Sequence, residues 1–223
     1  MKKNNKLDII YEDKDIIVIN KPSHLLTIST ENEKEKTLFH EVMMYLKKKN
    51  KNNKVFIVHR LDKDTSGLVL FAKSQELKNK LQKDWDKAIR HYVCVVNKPL
   101  EKKKGTIKSY LMETKTLFVY STNDSKLGKL AITDYEEISS NKKLSLVNIN
   151  LKTGRKNQIR VHMNDIGNQI VGDKKYGTIK FDPLRRLCLH ANYLEIIHPI
   201  TKRKMVFETK IPVEFCNLID TIK

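Results

Sequence analysis

The chain has 223 residues, 39% of them hydrophobic and 31% charged, with 44 basic against 26 acidic residues and a net charge of +18. A chain of this length buries a real core as one domain, and its apolar share excludes disorder. It has no run near the ~20 apolar residues of a membrane helix. MKKNNKLDII shows no apolar stretch after its lysines, so no secretory signal is expected and a cytoplasmic location is.

LDIIYEDKDIIVINKP (7–22) predicts a β-hairpin, two β-branched runs around a polar turn at Glu12 to Asp15. A polar loop follows over 27–36. TLFHEVMMYLKKKN predicts a helix capped by Thr37, with Leu38, Val42 and Tyr45 on its inner face and a solvated lysine tail. KVFIVHRL and GLVLFAK predict two strands flanking an acidic bend. SQELKNKLQKDW predicts a helix whose Leu77, Leu81 and Trp85 stripe packs into the core. RHYVCVVNKPL is a strand, and 100–143 is lysine- and glycine-rich strand and turn material. LSLVNINLKTGR alternates as a strand. RKNQIRVHMNDIG then predicts a helix with Ile159, Met163 and Ile166 inward and Gly167 as its stop. LCLHANYLEIIHP and KMVFETKIP give a final pair of strands. The pattern predicts one α+β domain with a mixed, mostly antiparallel sheet and flanking helices.

The positive balance favours a polyanion, and RNA or DNA is the default partner. Abundant Lys, Asn and Ile are also what an AT-rich gene encodes, so part of the lysine excess carries no function. The arginines are more informative: only seven of the basic residues are Arg (Arg60, Arg90, Arg155, Arg160, Arg185, Arg186 and Arg203). A chain that writes Lys so freely keeps Arg where the planar fork must grip an anion or stack on a ring. Cys94, Cys188 and Cys216 lie far apart with no CxxC pair, and read as reduced, buried thiols. Cys188 and His190 make no metal site by themselves, so no metal is expected.

VHRLDKDTSGLVLFAKS (58–74) is the densest motif. Asp62, Asp64, Ser66 and Gly67 match the start of a calcium loop, but the twelfth position is Lys73 instead of Glu and a strand precedes the loop. A two-aspartate phosphatase is a weak alternative, since no acidic metal cluster follows. Plain turn chemistry accounts for Asp-Lys-Asp-Thr-Ser-Gly, yet not for a scarce arginine two residues before Asp62. In an extended segment Arg60 and Asp62 face one side. A nearby positive charge keeps such an aspartate ionised, which suits a nucleophile or base. Asp64 reads as structural or surface, and His162 as packing.

HRLDKDTSGLVLFAKS resembles the HRLDxxTSG signature of the RluA-like RNA pseudouridine synthases. YEDKDIIVINKPSHLL resembles their N-terminal segment, with Ser23-His24 where Ala-Gly is usual. RHYVCVV resembles their K-x-Y strand, LKTGRKNQIRVHMNDIGNQIVGDKKYG their TGR-x-x-QIRVH…IVGD-x-x-YG block, and LCLHANYLEIIHP their closing strands. The resemblance runs from about residue 9 to 212. It implies a single pseudouridine synthase catalytic domain over 1–223, without an N-terminal S4 domain. It also implies an enzyme that needs neither cofactor nor metal.

By the same resemblance Asp62 is the essential aspartate, Tyr92 stacks on the target base, and Arg160 forms the salt bridge that holds Asp62. Arg60, Thr65, Arg155 and Gln158 are then the expected RNA-binding residues. Large-subunit ribosomal RNA is the first expected substrate and transfer RNA the second, and the expected state is a monomer. Lys156-Asn157 depart from the usual Ser/Thr-His pair and are expected to touch RNA or brace the loop. The competing reading is a silent RNA-binding protein of the same fold. The joint presence of Asp62, Tyr92 and Arg160 speaks against it.

Overall fold

The computed structural model describes residues 7–31, 33–177 and 181–221. In chain order the elements are β1 (Ile9–Glu12), β2 (Ile16–Lys21), α1 (Leu38–Lys49), β3 (Phe56–Ile57), β4 (Ser66–Ala72), α2 (Gln75–Lys83), β5 (Ile89–Asn97), β6 (Lys104–Glu113), β7 (Val119–Thr122), β8 (Lys129–Ser140), β9 (Leu144–Leu151), α3 (Gln158–Asp165), β10 (Leu189–Ile197), β11 (Lys204–Glu208) and α4 (Val213–Thr221). They fall into two compact units. The first holds the described residues to Ala88 with Tyr193–Thr209, and the second those of Ile89–Asn192 with the described residues from Lys210 on. The strand pairs within each unit are antiparallel, as expected, with helices beside them.

In the first unit β1 and β2 form the expected hairpin. Its turn is fixed by Asp13, whose Oδ1 accepts the Asp15 and Ile16 N–H groups at 2.7 Å each. Glu12, at the end of β1, accepts from Tyr45 at 2.8 Å, Lys49 at 2.9 Å and Lys73 at 2.8 Å. Burial opposes its charge, yet the bonds from Lys73, Lys49 and Tyr45 prevail and bring its pKa down to about 2. β2 pairs along its whole length with β4, from Ile16 opposite Ala72 to Lys21 opposite Gly67. β4 is buried at every position, which explains its unbroken apolar run. Thr37 caps α1 through the His40 N–H at 3.1 Å. The inner face of α1 is Leu38, Val42 and Leu46, so Tyr45 leaves the expected stripe for its bond to Glu12. Ser74 caps α2, which buries Leu77 and Leu81 and stops at Lys83. Trp85 lies beyond it in a 3₁₀ turn and stacks on His59, with ring centroids 4.3 Å apart.

The second unit is built on the order β5-β9-β8-β6-β7. Its core joins Cys94, Val96, Val147, Ile149, Met163 and Phe215, all essentially inaccessible. The lysine-rich stretch 100–143 thus forms three strands, two of them long. α4 was not expected from the sequence. Phe215, Leu218 and Ile219 recur at helical spacing after Pro212, with Glu214 in the first turn, and that stripe closes the core beside β9. Among the described residues no helix is long and apolar enough to cross a membrane.

Candidate active site

In the first unit the expected strand over KVFIVHRL is only two residues long, Phe56–Ile57. The next ladder donor, the Leu70 N–H, is taken by His59 Nε2 at 3.0 Å, and the chain leaves the sheet. Val58–Thr65 therefore runs as irregular backbone, and its polar groups must find partners elsewhere. Gln82 donates to Val58 O at 3.0 Å. Thr27 Oγ1 donates to Leu61 O at 2.7 Å and accepts the Leu61 N–H at 3.2 Å. Ser23 Oγ donates to Asp64 O at 2.6 Å.

The firmest anchor is Lys21. It is 0% exposed, and its ammonium donates to Leu25 O at 2.8 Å and to Pro22 O and Lys63 O at 3.0 Å each. An ammonium with three protons can make three such bonds, and these outweigh part of the cost of burying it. Asp62 lies between the Leu61 and Lys63 anchors, half-buried, and a Thr65 N–H to Asp62 O bond of 3.2 Å closes the turn behind it. Arg60 is exposed on the same segment. Thr65 is 3% exposed and forms the turn. Gly67 follows at φ 116°, a conformation that side-chain-bearing residues rarely adopt, so the Thr-Ser-Gly ending is conformational. Asp64 pairs with His24 Nδ1 at 3.1 Å on the surface, as a non-catalytic reading required.

In the second unit Tyr92 is half-buried on β5, opposite Ile149 of β9. Arg160 sits on α3, 8% exposed, and spends Nε and Nη2 on the two carboxylate oxygens of Asp173, at 2.8 and 2.7 Å. Asp173 Oδ1 also accepts the Lys175 and Tyr176 N–H groups at 2.9 and 3.0 Å. Burial opposes the Asp173 charge, but the Arg160 bonds and charge with these N–H groups hold its pKa below the usual carboxylate range. The Arg160 guanidinium lies 5.1 Å from the centre of the Tyr176 ring. Asp173 and Tyr176 had no role in the sequence reading. Their signal was present in the IVGDKKYG segment, where an acidic and an aromatic residue follow a tight turn.

The TGR turn is shaped by Gln158. Its Oε1 accepts from Thr153 Oγ1 at 2.8 Å and from the Arg155 N–H at 2.9 Å, and its Nε2 donates to Ile132 O at 3.0 Å and Thr133 Oγ1 at 2.9 Å. Gln158 is 2% exposed and its amide is saturated, so it braces the turn. Arg155 is exposed, with Nε on Leu130 O at 3.0 Å. It borders a cavity of about 380 Å³ with Gly154, Lys156, Lys129 and Met112. Asn157 takes a left-handed conformation, φ 54°, which Asn tolerates well, and its Oδ1 accepts the Tyr176 hydroxyl at 3.0 Å. Lys156 pairs with Glu113. Both departures from the usual motif thus brace the loop.

His162 is buried between Thr133 Oγ1 at 2.8 Å and Ser109 Oγ at 2.9 Å, and burial pushes its pKa down to about 4. It packs, as expected. Burial raises the thiols of Cys94 and Cys188, so neither is a reactive thiolate. Among the described residues no cluster of three His, Cys, Asp or Glu is placed to hold a metal ion.

Comparison with known proteins agrees with these motifs. The family model described as RNA pseudouridylate synthase matches residues 15–165. The RNA pseudouridine synthase YhcT of Bacillus subtilis is 36% identical over 220 residues, which cover 97% of this chain and 72% of that protein. Ribosomal large subunit pseudouridine synthase D of Haemophilus influenzae is 32% identical over 235 residues, covering 99% of this chain and 72% of its own. Human RNA pseudouridylate synthase domain containing 4 shares the fold, with a TM-score of 0.78 at 22% identity over 93% of this chain and 90% of that one. With its HRLD, K-x-Y-like and TGR-x-x-QIRVH segments all inside the matched span or beside it, the chain belongs to the RNA pseudouridine synthases, the enzymes that isomerise uridine in RNA to pseudouridine.

Proposed function

We propose that this protein converts uridine to pseudouridine in large-subunit ribosomal RNA, with Asp62 as its catalytic carboxylate. The observation that carries this is the anchoring of the Asp62 turn. Lys21, Ser23 and Thr27 fix Leu61, Lys63 and Asp64 on both sides of an aspartate that takes no part in the sheet. Such fixing before substrate arrives is what electrostatic catalysis needs. The choice of RNA rests on relatives named for the ribosomal large subunit.

In the reaction the bond from ribose C1′ to uracil N1 breaks, the base turns, and a bond from C1′ to C5 forms. The C5 proton leaves and N1 gains one. Product and substrate are isomers, so the stoichiometry calls for no redox partner or group donor. Asp62 adds to the base, attacks the sugar or removes a sugar proton, three routes that a single ionised carboxylate serves. Tyr92 stacks on the base and assists loss of the C5 proton. Arg160, held by Asp173, is the further arginine that this reading assigns to the reaction.

The target nucleotide must leave its stack, at a cost of a few kcal/mol, and stacking on an aromatic ring returns ~1–3 kcal/mol. Arg60 and Arg155, both exposed, contact the RNA, while Thr65 and Gln158 hold the turns that present them. The test is carbodiimide mapping with primer extension on ribosomal and transfer RNA from cells lacking the gene, complemented with wild type or Asp62→Asn. Stops in large-subunit RNA should vanish without the gene and return only with wild type. If Asp62→Asn restores them equally, the catalytic assignment fails. If no stop depends on the gene, a binding-only role takes its place.

A further inference from the structure

α3 is buried at each position from Gln158 to Met163, and much of its packing is apolar. Ile159 and Met163 enter the main core of the second unit, and Val161 joins a smaller cluster with Leu111, Val119 and Ala131. Apolar burial has no direction, so it holds a helix down without fixing its register. One stripe of α3 is different. Gln158, His162 and Asp165, at i, i+4 and i+7, share a face. Bonded to that face are Thr133 of β8, Ser109 of β6 and Ser121 of β7, three hydroxyls on neighbouring strands.

These six side chains form one continuous chain of hydrogen bonds, and the chemistry of its members gives it a direction. Gln158 Oε1 accepts the Arg155 N–H, so the amide nitrogen faces Thr133 and donates to it at 2.9 Å. The Thr133 hydroxyl proton is then left for His162 Nδ1, at 2.8 Å. Burial lowers the imidazole pKa to about 4, so at neutral pH the ring holds one proton. That proton sits on Nε2 and goes to Ser109 Oγ at 2.9 Å. Ser109 donates to Ser121 at 3.1 Å, and Ser121 donates to the Asp165 carboxylate. Reversing any link leaves one contact without a proton. The chain therefore has one polarity, from the backbone of the TGR turn to a carboxylate at the far end of α3.

We propose that His162 is a positioning residue. The polar seam centred on it locks the register of α3 against β8, β6 and β7. It thereby sets the Arg160 guanidinium and, through Gln158, the turn that presents Arg155. The consequence for catalysis rests on the roles proposed above for those two arginines. A helix turned or slid by a fraction of a turn could keep apolar contacts, but it would lose several of these bonds together. Buried polar groups add little net stability, and their attested use is to select one arrangement.

The test compares wild type with an apolar seam, made by Thr133→Val, Ser109→Ala, Ser121→Ala and His162→Leu together. Ser109→Ala alone and His162→Gln, which keeps one acceptor and one donor, complete the set. The readouts are thermal melting, the NMR resonance of the Arg160 Nε–H that donates to Asp173, and kcat and KM for tritium release from carbon 5 of uridine in RNA. The apolar seam should melt at or above the wild-type temperature, because bonded partners have been removed together. Its Arg160 resonance should nevertheless shift or broaden, and kcat should fall about tenfold or more. Ser109→Ala should move the resonance in the same direction. His162→Gln should leave it near the wild-type position.

An apolar seam with the wild-type resonance and kcat overturns the proposal, since the seam is then packing alone. Should that variant fail to fold, the same result in Ser109→Ala overturns it equally. So does a loss of kcat with an unmoved resonance, a moved resonance at wild-type kcat, or a wild-type His162 whose ring-nitrogen spectrum places the proton on Nδ1. If the wild type forms no pseudouridine, the proposed activity fails, and the Arg160 resonance in the same variants still decides the register.

Discussion

Replacing Lys21 by Met removes the ammonium that ties the Asp62 turn to the end of β2, and keeps nearly the same volume. Three carbonyls, of Pro22, Leu25 and Lys63, lose their donor at once. Hydrogen bonds to a charged group are worth ~1.5–3 kcal/mol each, so the gross loss is about 5–9 kcal/mol. Against it stands the cost of holding an ammonium at 0% exposure, several kcal/mol, which the variant no longer bears. The net destabilisation is about 2–4 kcal/mol, and the freed Lys63 carbonyl sits one residue from Asp62. A catalytic group displaced by about 1 Å costs on the order of 100-fold in rate. Urea unfolding followed by Trp85 fluorescence reads the first effect, because the only tryptophan stacks on His59 in the same unit. Tritium release from carbon 5 of uridine in RNA, measured below the onset of unfolding, reads the second. A variant with wild-type midpoint and wild-type rate would refute the anchoring role. One that is destabilised but fully active would confine Lys21 to stability.

Asp173→Asn removes the charge that accepts two Arg160 bonds inside the core, and should lose ~3–5 kcal/mol in urea unfolding; a loss under 1 kcal/mol would show that the pair contributes little. Asp173 has a lowered pKa in the folded protein, so its stabilisation is complete above the ordinary carboxylate range and disappears as pH falls through the lowered value. His162 and His190 act in the same direction: burial pushes both from 6.5 to about 4, with the Arg186 charge adding to the effect on His190. The unfolded chain takes up protons below 6.5 that the native protein refuses until about 4, so stability falls across that window, by up to ~3 kcal/mol for each histidine. Thermal melts between pH 7 and 4.5 should show this decline, shallower in His162→Gln or His190→Gln, and an equal decline in both variants would contradict it. Asn157→Ala should lose ~1–3 kcal/mol, from a left-handed Ala and the loss of the bond that the Tyr176 hydroxyl donates to Asn157. Asn157→Gly should recover the backbone part alone, and equal stability of all three proteins would dismiss the brace.

What could be read ahead of the structure was what depends on neighbours in sequence. The hairpin turn, the Thr37 cap and the stop at Gly167 all use bonds within a few residues, and all stand where they were expected. Asp62, Tyr92, Arg60 and Arg155 were named from motifs, and each keeps an exposed or half-buried position. The failures involve distant partners. Phe56, Ile57 and Val58 carry high β-propensity, but pairing ends where His59 takes the Leu70 N–H. Lys21 had no role in the sequence reading, and one of the carbonyls that hold its buried ammonium lies 42 residues away. Gln158 and Thr65 are buried braces of their turns, a role that motif polarity alone does not reveal. α4 had a legible stripe, but it follows two strands in a stretch that already read as sheet.

Both loops that carry the proposed chemistry are irregular backbone lying against the core, and that placement imposes a requirement. Outside the sheet, carbonyls and N–H groups next to the core have no ladder partner, and leaving them open costs free energy. This chain meets the requirement with side chains: Lys21, Ser23, Thr27 and Gln82 for the Asp62 segment, Gln158 and Thr153 for the TGR turn. Three of these anchors fix backbone directly at a proposed site residue: Thr27 and Lys21 hold Leu61 and Lys63 on either side of Asp62, and Gln158 takes the Arg155 N–H. The bonds that satisfy the fold therefore also pre-position the site, so variants at these anchors should affect stability and rate together. The departures at Lys156 and Asn157 fit this logic. Both act as braces, with Asn157 on Tyr176 and Lys156 on Glu113, and leave Arg155 and Gln158 in place. A motif can vary at its braces and keep its chemistry, because the loop needs partners for its backbone and has no use for one particular residue to provide them.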